Sequence, residues 1–359
     1  MDAKRPIAPS APTSAIAAPL LAWYDLHRRD LPWRAAPGVA ADPYRVWLSE
    51  VMLQQTTVAT VRPRFAAWIE RWPTFADLAA APEADVMAQW AGLGYYARAR
   101  NLLAAARIVA TAHGGALPDD EVTLRGLPGF GDYTAAAVAA IAFGRRAVVV
   151  DANVERIVAR LFAIPQPLPA ARAAIRAVAA TITPAERAGD FAQAMMDLGS
   201  AVCTPHAPKC LLCPIASPCA ARATGAPDAF PLRKAKAPRP HRHGTVFWLE
   251  DEGGRVLLER RPARGLLGGM RALPTGPWAD SPPGLAGAPA AVDWTLHNVT
   301  VSHGFTHFTL DLALAVGHIR GDTGSVAGEW CPVADLASAG LPTVFAKAAA
   351  AIEMGRSDG

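Results

Sequence analysis

The chain has 359 residues, 52% of them hydrophobic and 18% charged, with a formal net charge of +4. That length exceeds a single ordinary core, so two domains are expected. No apolar run reaches the roughly 20 residues that a membrane-spanning helix needs, and the mild basic excess allows a nucleic-acid partner without demanding one.

In chain order, residues 1–17 (MDAKRPIAPSAPTSAIA) carry Ala, Pro and Ser with little periodicity and are expected to form a disordered tail. They show neither a secretory signal nor the amphipathic, Arg-rich pattern of a transit peptide, so a cytoplasmic, nucleoid-associated location is expected. From 18 to 230 apolar residues recur at spacings of three and four, the period of helices. Asp42-Pro43 has the form of an N-cap followed by a first-turn proline, and opens a helix expected to run to about Val61. Pro63 is expected to start the next element, with a further helix over Asp85–Trp90. Gly92-Leu93-Gly94 then breaks the pattern, and the Ala-rich run Tyr133–Ala142 reads as a buried helix.

Residues 231–243 (PLRKAKAPRPHRH) are basic and Pro-rich and read as a linker. Beyond them the period changes. Thr245–Leu249, Val256–Leu258, Trp294–Val301 and Phe308–Ala315 read as strands, 279–291 as a loop, and Val344–Met354 as a terminal helix. The second half is therefore expected to be a small α+β domain.

Four of the five cysteines, Cys203, Cys210, Cys213 and Cys219, crowd into one Pro-rich loop. Without a secretory signal a disulfide framework is not expected, so clustered thiolates point to an inorganic centre. Four-cysteine zinc sites usually show two short Cys-x2–4-Cys knuckles, and here only one pair is short. Iron–sulfur ligation is the better match and zinc the alternative.

Three other motifs carry chemistry. Leu124 to Val138 (LRGLPGFGDYTAAAV) has the form of a helix-hairpin-helix. Gly129 and Gly131 would allow a tight turn, and the amides opening the second helix could meet a phosphate. Glu50 follows Val46 and Trp47 by four and three residues, at the border of an apolar stripe. Burial there would raise its pKa and keep it protonated, as a general acid requires, while a surface Glu on a helix edge fits the position equally well. Asp151 precedes a helical run and reads as an N-cap, where the helix terminus is expected to lower its pKa. One protonated and one ionised carboxyl is the division of labour used to break glycosidic bonds.

Taken together, SEVMLQQT, GLGYYARARNL, LPGFGDYTA, VDANV, QAMMDLG and the cysteine loop, in this order, resemble the MutY-type adenine DNA glycosylases of the endonuclease III superfamily. The motifs span about residues 23–219, and the C-terminal half resembles that family's Nudix-like domain. The resemblance implies a mainly α-helical catalytic domain with a helix-hairpin-helix and an iron–sulfur loop, followed by an α+β Nudix-like domain. In boundaries, it implies a glycosylase domain over 18–230 with a [4Fe–4S] loop at 203–219, and an 8-oxoguanine recognition domain over 244–355. The implied partner is duplex DNA carrying adenine opposite 8-oxoguanine or guanine, bound by a monomer.

By the same resemblance Glu50 protonates adenine, Asp151 stabilises or captures the sugar cation, and Asn153 supports Asp151. Tyr133 stands where endonuclease III relatives carry a Schiff-base Lys, which implies a monofunctional glycosylase. Trp33, Arg34 and Gln193 match positions lining the adenine pocket. Gln55, Thr56 and Tyr95 match positions that probe or wedge the helix around 8-oxoguanine. An extruded base leaves a gap that an aromatic or amide can fill, and two adjacent tyrosines, Tyr95 and Tyr96, cannot both face one core. Phe305-Thr306-His307 takes the place of the family's Phe-Ser-His loop, which reads 8-oxoguanine, and a hairpin turn with a partly buried Phe is the plainer alternative. Residues 265–290 lack the Arg-Glu-x-x-Glu-Glu cluster that would bind Mg²⁺, so nucleotide pyrophosphatase activity is not expected.

The chain departs from the family pattern at Ala152, where Gly is usual, and at Glu155, where some members carry Lys. Cys331 lies outside the loop and reads as a small buried hydrophobe. Two rivals remain at this level: an endonuclease III-like glycosylase/lyase on oxidised pyrimidines, and a catalytically silent iron–sulfur DNA-binding protein. Tyr133 and the second domain speak against the first. The presence of both Glu50 and Asp151 speaks against the second.

Overall fold

Apolar side chains at helical spacing fold the first half of the chain into twelve α-helices among the described residues. The computed structural model describes residues 13–234, 239–262, 265–321, 323–324 and 326–357. The chain divides into two units, Met1–Ala235 and Lys236–Gly359.

In the first unit α1 (Thr13–His27), α2 (Pro43–Leu53) and α3 (Val58–Arg71) are followed by the short α4 (Phe75–Ala80) and α5 (Glu83–Gln89). Next come α6 (Ala97–Ala112), α7 (Glu121–Arg125), α8 (Asp132–Phe143), α9 (Ala152–Leu161), α10 (Arg172–Ile182), α11 (Ala188–Ala201) and α12 (Ala220–Ala223). One core gathers Trp47, Phe65, Trp68, Trp90 and Leu102 around α2–α8. A second gathers Ile16, Leu20, Tyr24, Ile157, Ile175 and Leu198 from α1, α9, α10 and α11.

Three sequence expectations are corrected here. Helix α1 begins inside the expected 1–17 tail, because Ile16 and Ala17 are buried in the second core and a tertiary face outweighs the weak local pattern. Residues 1–12 of that tail lie outside the described residues. The expected single helix from Asp42 to Val61 is two helices. The Asp42 carboxylate caps α2 as expected, but the chain turns at Gln54–Thr57, with Gln55 at φ 57. Thr57 then caps α3 by accepting from the Thr60 amide. Pro63 therefore falls inside α3 instead of opening it.

Helix α8 is apolar on every side and runs through the middle of the unit, with Thr134–Ala140 buried. It stops at Gly144, which adopts the left-handed conformation at φ 66. Small side chains let neighbouring helices approach closely. At Gly189 in α11 an added Cβ would run into the Ala140 carbonyl oxygen of α8.

The second unit is a mixed sheet against one helix. Strands β1 (His241–Asp251), β2 (Arg255–Arg260), β3 (Arg271–Ala272), β4 (Thr295–Gly304), β5 (Thr309–Ile319) and β6 (Glu329–Pro332) pair in the order β3-β2-β1-β5-β4, with β6 on β2. Strands β1 and β5 run parallel, with His241 opposite Thr309 and Leu249 opposite Gly317, and the remaining pairs are antiparallel. Helix α13 (Thr343–Ser357) lays Phe345, Ala348 and Ile352 onto Val246, Trp248, Leu310, Leu312 and Leu314.

Strand β1 takes in His241–His243, which the sequence suggested as linker, because parallel pairing with β5 begins at His241. Residues 235–238 of that segment lie outside the described residues. Strands β3 and β6 are too short to leave a periodic signal. Cys331, in β6, is half-buried rather than buried.

A helical Gly→Ala change ordinarily stabilises by about 1 kcal/mol. At Gly189 the sign should reverse, with Gly189→Ala destabilising by about 1–3 kcal/mol as α8 and α11 are forced apart. Urea denaturation of the variant against wild type checks this.

Candidate active site and cysteine loop

Residues from α2, the 54–57 turn and the first turns of α8 and α9, with others from α10 and α11, enclose a cavity of about 930 Å³. Glu50, Gln55, Thr56, Tyr133, Asp151 and Asn153 all line it. Glu50 sits on the buried face of α2 and is 7% exposed. The Tyr133 hydroxyl, from the first turn of α8, donates to Glu50 Oε2 at 2.5 Å. Burial pushes the Glu50 carboxyl up to about 7, the Tyr133 hydrogen bond opposes this, and the nearby Asp151 charge adds to it. The Tyr133 phenol is pushed well above its usual range by burial and by the two carboxylates, so it remains a donor.

Asp151 caps α9. Its Oδ1 accepts from the Val154 amide at 2.7 Å and its Oδ2 from the Asn153 side chain at 2.8 Å. The expected lowering of its pKa is overturned. Burial raises it, and this exceeds the combined pull of the Val154 and Asn153 hydrogen bonds and the Arg156 charge. Ala152 lines the cavity beside it. Glu155 also reaches the cavity wall, where its carboxylate pairs with Arg172 at 2.7 Å.

The other expected pocket residues are placed elsewhere. Trp33 is buried in the first core, edge-on to Phe65. Arg34 is held by Asp197 through two hydrogen bonds of 2.6 and 2.8 Å, close enough to Glu50 to draw its pKa down. The Gln193 side-chain amide donates back to the Gly189 carbonyl of its own helix at 3.4 Å. None of the three lines the cavity. Tyr95 is 59% exposed at φ 48, while Tyr96 packs on the first core, so one tyrosine of the pair faces out. Gly129, at φ 78, forms the turn between α7 and α8, and Gly131 opens α8 without a side-chain cap. Both stand away from the cavity lining.

Several residues here escaped the sequence reading. Asp197, 1% exposed, accepts from Arg29 as well as Arg34. Its one sequence signal is an acid set in the apolar run Ala194–Leu198. Arg98 donates to the carbonyls of Val51, Met52, Gln54, Leu93 and Gly94, tying the end of α2 to the Gly92–Gly94 loop. Arg156 joins the Asn153 side-chain oxygen at 2.9 Å to the Cys203 carbonyl at 2.8 Å. Gly199 leaves room for Asn153, since a Cβ there would lie 2.5 Å from the Asn153 Cβ.

Cys203, Cys210, Cys213 and Cys219 line one small cavity in the first unit. Arg160, 2% exposed, holds the loop by donating to the carbonyls of Thr204, Pro205 and Phe230 and to the Cys203 sulfur at 3.2 Å. Burial pushes the Cys213 thiol up to about 11. Four sulfurs converging on one space, with a cationic donor beside them, fit a bound inorganic cation centre.

In the second unit residues 305–308 join β4 to β5. Phe305 packs against Trp278, His303 and Phe308, with ring centroids 5.7, 4.7 and 4.8 Å away. Thr306 and His307 are exposed at the tip. Among the described residues no helix is long and apolar enough to cross a membrane.

Comparison with known proteins agrees with this architecture. The family model described as HhH-GPD superfamily base excision DNA repair protein matches residues 48–179, and the NUDIX domain model matches 245–351. An adenine DNA glycosylase of Mycolicibacterium smegmatis is 44% identical over 217 residues, covering 60% of this chain and 73% of that protein. The human and Arabidopsis thaliana adenine DNA glycosylases are each 38% identical, over 76% and 73% of this chain. The chain spans only 59% and 48% of their own lengths. Among solved structures, a thermostable thymine-DNA glycosylase superposes with a TM-score of 0.53 at 29% identity, covering 59% of this chain and 97% of that one.

The Asp197 pair yields a stability prediction. Arg34 is 6% exposed, and Asp197→Asn would leave its guanidinium buried without a counter-charge. The expected loss is about 3–5 kcal/mol, read from the shift of the denaturation midpoint. The Asp197 pKa is lowered against the pull of burial, chiefly by Arg34. This contribution is therefore present above the unfolded aspartate pKa and is lost as pH falls through the lower folded value.

Proposed function

The chain belongs to the adenine DNA glycosylase family, and we propose that it hydrolyses the N-glycosidic bond of an adenine standing opposite 8-oxoguanine or guanine in duplex DNA. The observation that carries this reading is the buried Glu50, poised near neutrality by burial and Tyr133, in one cavity with Asp151.

A stacked base cannot be reached, so the adenine must swing out of the helix into the cavity. With a pKa of about 7, Glu50 is protonated in a large fraction of molecules at neutral pH. Its proton goes to N7 of the adenine, so the electron pair of the breaking C1′–N9 bond leaves on a neutral purine. The sugar becomes an oxocarbenium ion, and the Asp151 carboxylate stabilises or captures it. Water then bonds to C1′ and gives its proton to the Glu50 carboxylate. Asn153 and the Val154 amide hold the Asp151 oxygens in place throughout. Tyr133 carries no amine, so no Schiff base forms at that position and strand cleavage is not expected.

The four loop cysteines, with Arg160 beside them, would hold a [4Fe–4S] cluster, whose part would be to keep the 203–219 loop folded. Gln55 and Thr56, at the cavity wall, and the exposed Tyr95 suit the gap left by the extruded base. Thr306 and His307, at the tip of the β4–β5 turn, suit the reading of 8-oxoguanine. Phe305 supports that turn from within.

Four outcomes test the reading. Glu50→Gln should bind the mispair and lose on the order of 10²–10⁴ in single-turnover excision, since the amide has no proton to give. Wild-type-like excision of A opposite 8-oxoguanine by this variant would refute the assignment.

The wild-type excision rate should fall as pH rises through about 7, where Glu50 loses its proton. Tyr133→Phe removes a donor to the carboxylate, so that limb should move to higher pH. A pH–rate profile of both proteins measures it. Cys210→Ser should lose iron and weaken duplex binding, as read by elemental analysis and a binding titration. Finally, His307→Ala should cost about 1–3 kcal/mol on A opposite 8-oxoguanine and less on A opposite guanine. Equal losses on both duplexes would leave the loop with no reading role.

A further inference from the structure

We infer that the second unit carries a zinc site formed by His241, His243 and Asp311. The register of the parallel pair builds it. His241 and His243 are two residues apart in β1 and so share a face of the sheet. Thr309 and Asp311 lie opposite them in β5 and share that same face. One ligand atom from each of His241, His243 and Asp311 lies within 4.8 Å of the others.

The arrangement has the supporting contacts of a metal site. The Thr309 hydroxyl lies 2.8 Å from His241 Nδ1, which leaves Nε2 facing Asp311 at 2.9 Å. The Ser302 hydroxyl, on β4, donates to Asp311 Oδ1 at 2.6 Å and leaves Oδ2 toward the histidines. Such partners on the far atoms of ligating groups fix their orientation.

An ion pair between His241 and Asp311 explains two of the three groups. It does not explain His243, whose ring stands edge-on to His241 with centroids 4.7 Å apart. Two imidazoles and one carboxylate are a borderline donor set. They favour zinc over magnesium or calcium, which take oxygen ligands. Three protein ligands leave a fourth tetrahedral position to water. His241 is half exposed, so its ring can turn to bring the ligand atoms to bonding distance.

The site would clamp the first residues of β1 to β5 directly below the turn at 305–308. That neighbourhood is already linked, since the Thr309 amide donates to the Pro240 carbonyl at 3.0 Å and Arg239 to that of Phe305 at 3.4 Å. The site is separate from the cysteine loop of the first unit, and it does not depend on the glycosylase reading.

The experiment uses the full chain, stripped of loosely bound metal on a chelating resin, with iron and zinc both quantified. Zinc chloride is titrated by equilibrium dialysis. Wild type should retain one zinc that the His241→Gln/His243→Gln double variant loses, with iron unchanged, and Asp311→Asn should bind at least about ten-fold more weakly. On wild type alone, zinc should protect His241 and His243 from diethylpyrocarbonate while the exposed His307 stays reactive, as read by mass spectrometry. The footprint decides the matter should a variant fail to fold. Absence of zinc binding by wild type, full retention by the double variant, or unprotected His241 and His243 would each overturn the site.

Discussion

Desolvation of Glu50 is the constraint on which the first unit turns. A carboxyl that is 7% exposed cannot stay ionised cheaply, so the fold must supply either a counter-charge or a proton. The guanidinium whose charge reaches it, Arg34, is committed to Asp197 by two short hydrogen bonds. What remains for Glu50 is the hydroxyl of Tyr133, a neutral donor. Were Arg34 paired directly with Glu50, the carboxyl would be held ionised and would have no proton to give. The buried Asp197 thus acts on Glu50 indirectly, by occupying the hydrogen-bonding face of a guanidinium that still acts on Glu50 through its charge.

The same economy of contacts links the cavity to the cysteine loop. Asp151 is held by Asn153, Asn153 by Arg156, and Arg156 by the Cys203 carbonyl. Gly199 makes room for Asn153 in this chain of contacts. Arg160, one turn further along α9, fastens the loop itself. Helix α9 therefore presents a carboxylate at its first turn and two loop-binding guanidiniums behind it. Order in the loop and the position of Asp151 are mechanically connected through one short helix.

Much of this was legible in the sequence, for physical reasons that differ by element. The helical character of residues 18–230 followed from apolar spacing, because that spacing reports which face meets the core. The convergence of the four cysteines followed from their spacing in one loop, whereas the position of Glu50 at the border of an apolar stripe suited a surface and a buried carboxyl equally until the structure placed it. The break at Gln54–Thr57 was not legible, since the apolar spacing continues across it and a single capping Thr is a weak signal beside that periodicity. The first turn of α1 was hidden by its weak pattern, and only the burial of Ile16 and Ala17 reveals it. Trp33, Arg34 and Gln193 were carried over by motif position. A motif gives neighbourhood, not orientation, and here their side chains are occupied by Phe65, Asp197 and the Gly189 carbonyl. The β1–β5 register could not be read at all, because parallel pairing joins residues some seventy positions apart with no local turn to fix it.

The raised pKa of Asp151 shows how two effects of opposite sign can serve one end. A helix N-terminus is worth about 0.3–2 kcal/mol to an anion, whereas the effective penalty of burying a charge is several kcal/mol. Burial therefore decides the direction. Yet the capping bonds from Val154 and Asn153 determine where the carboxylate oxygens sit. The helix end supplies position, and burial leaves the anion under-solvated in the resting protein. A sugar cation forming in the cavity would relieve that deficit at the transition state and not before. The stabilisation would then fall on the barrier rather than on the bound substrate, which is the condition for a faster reaction rather than tighter binding.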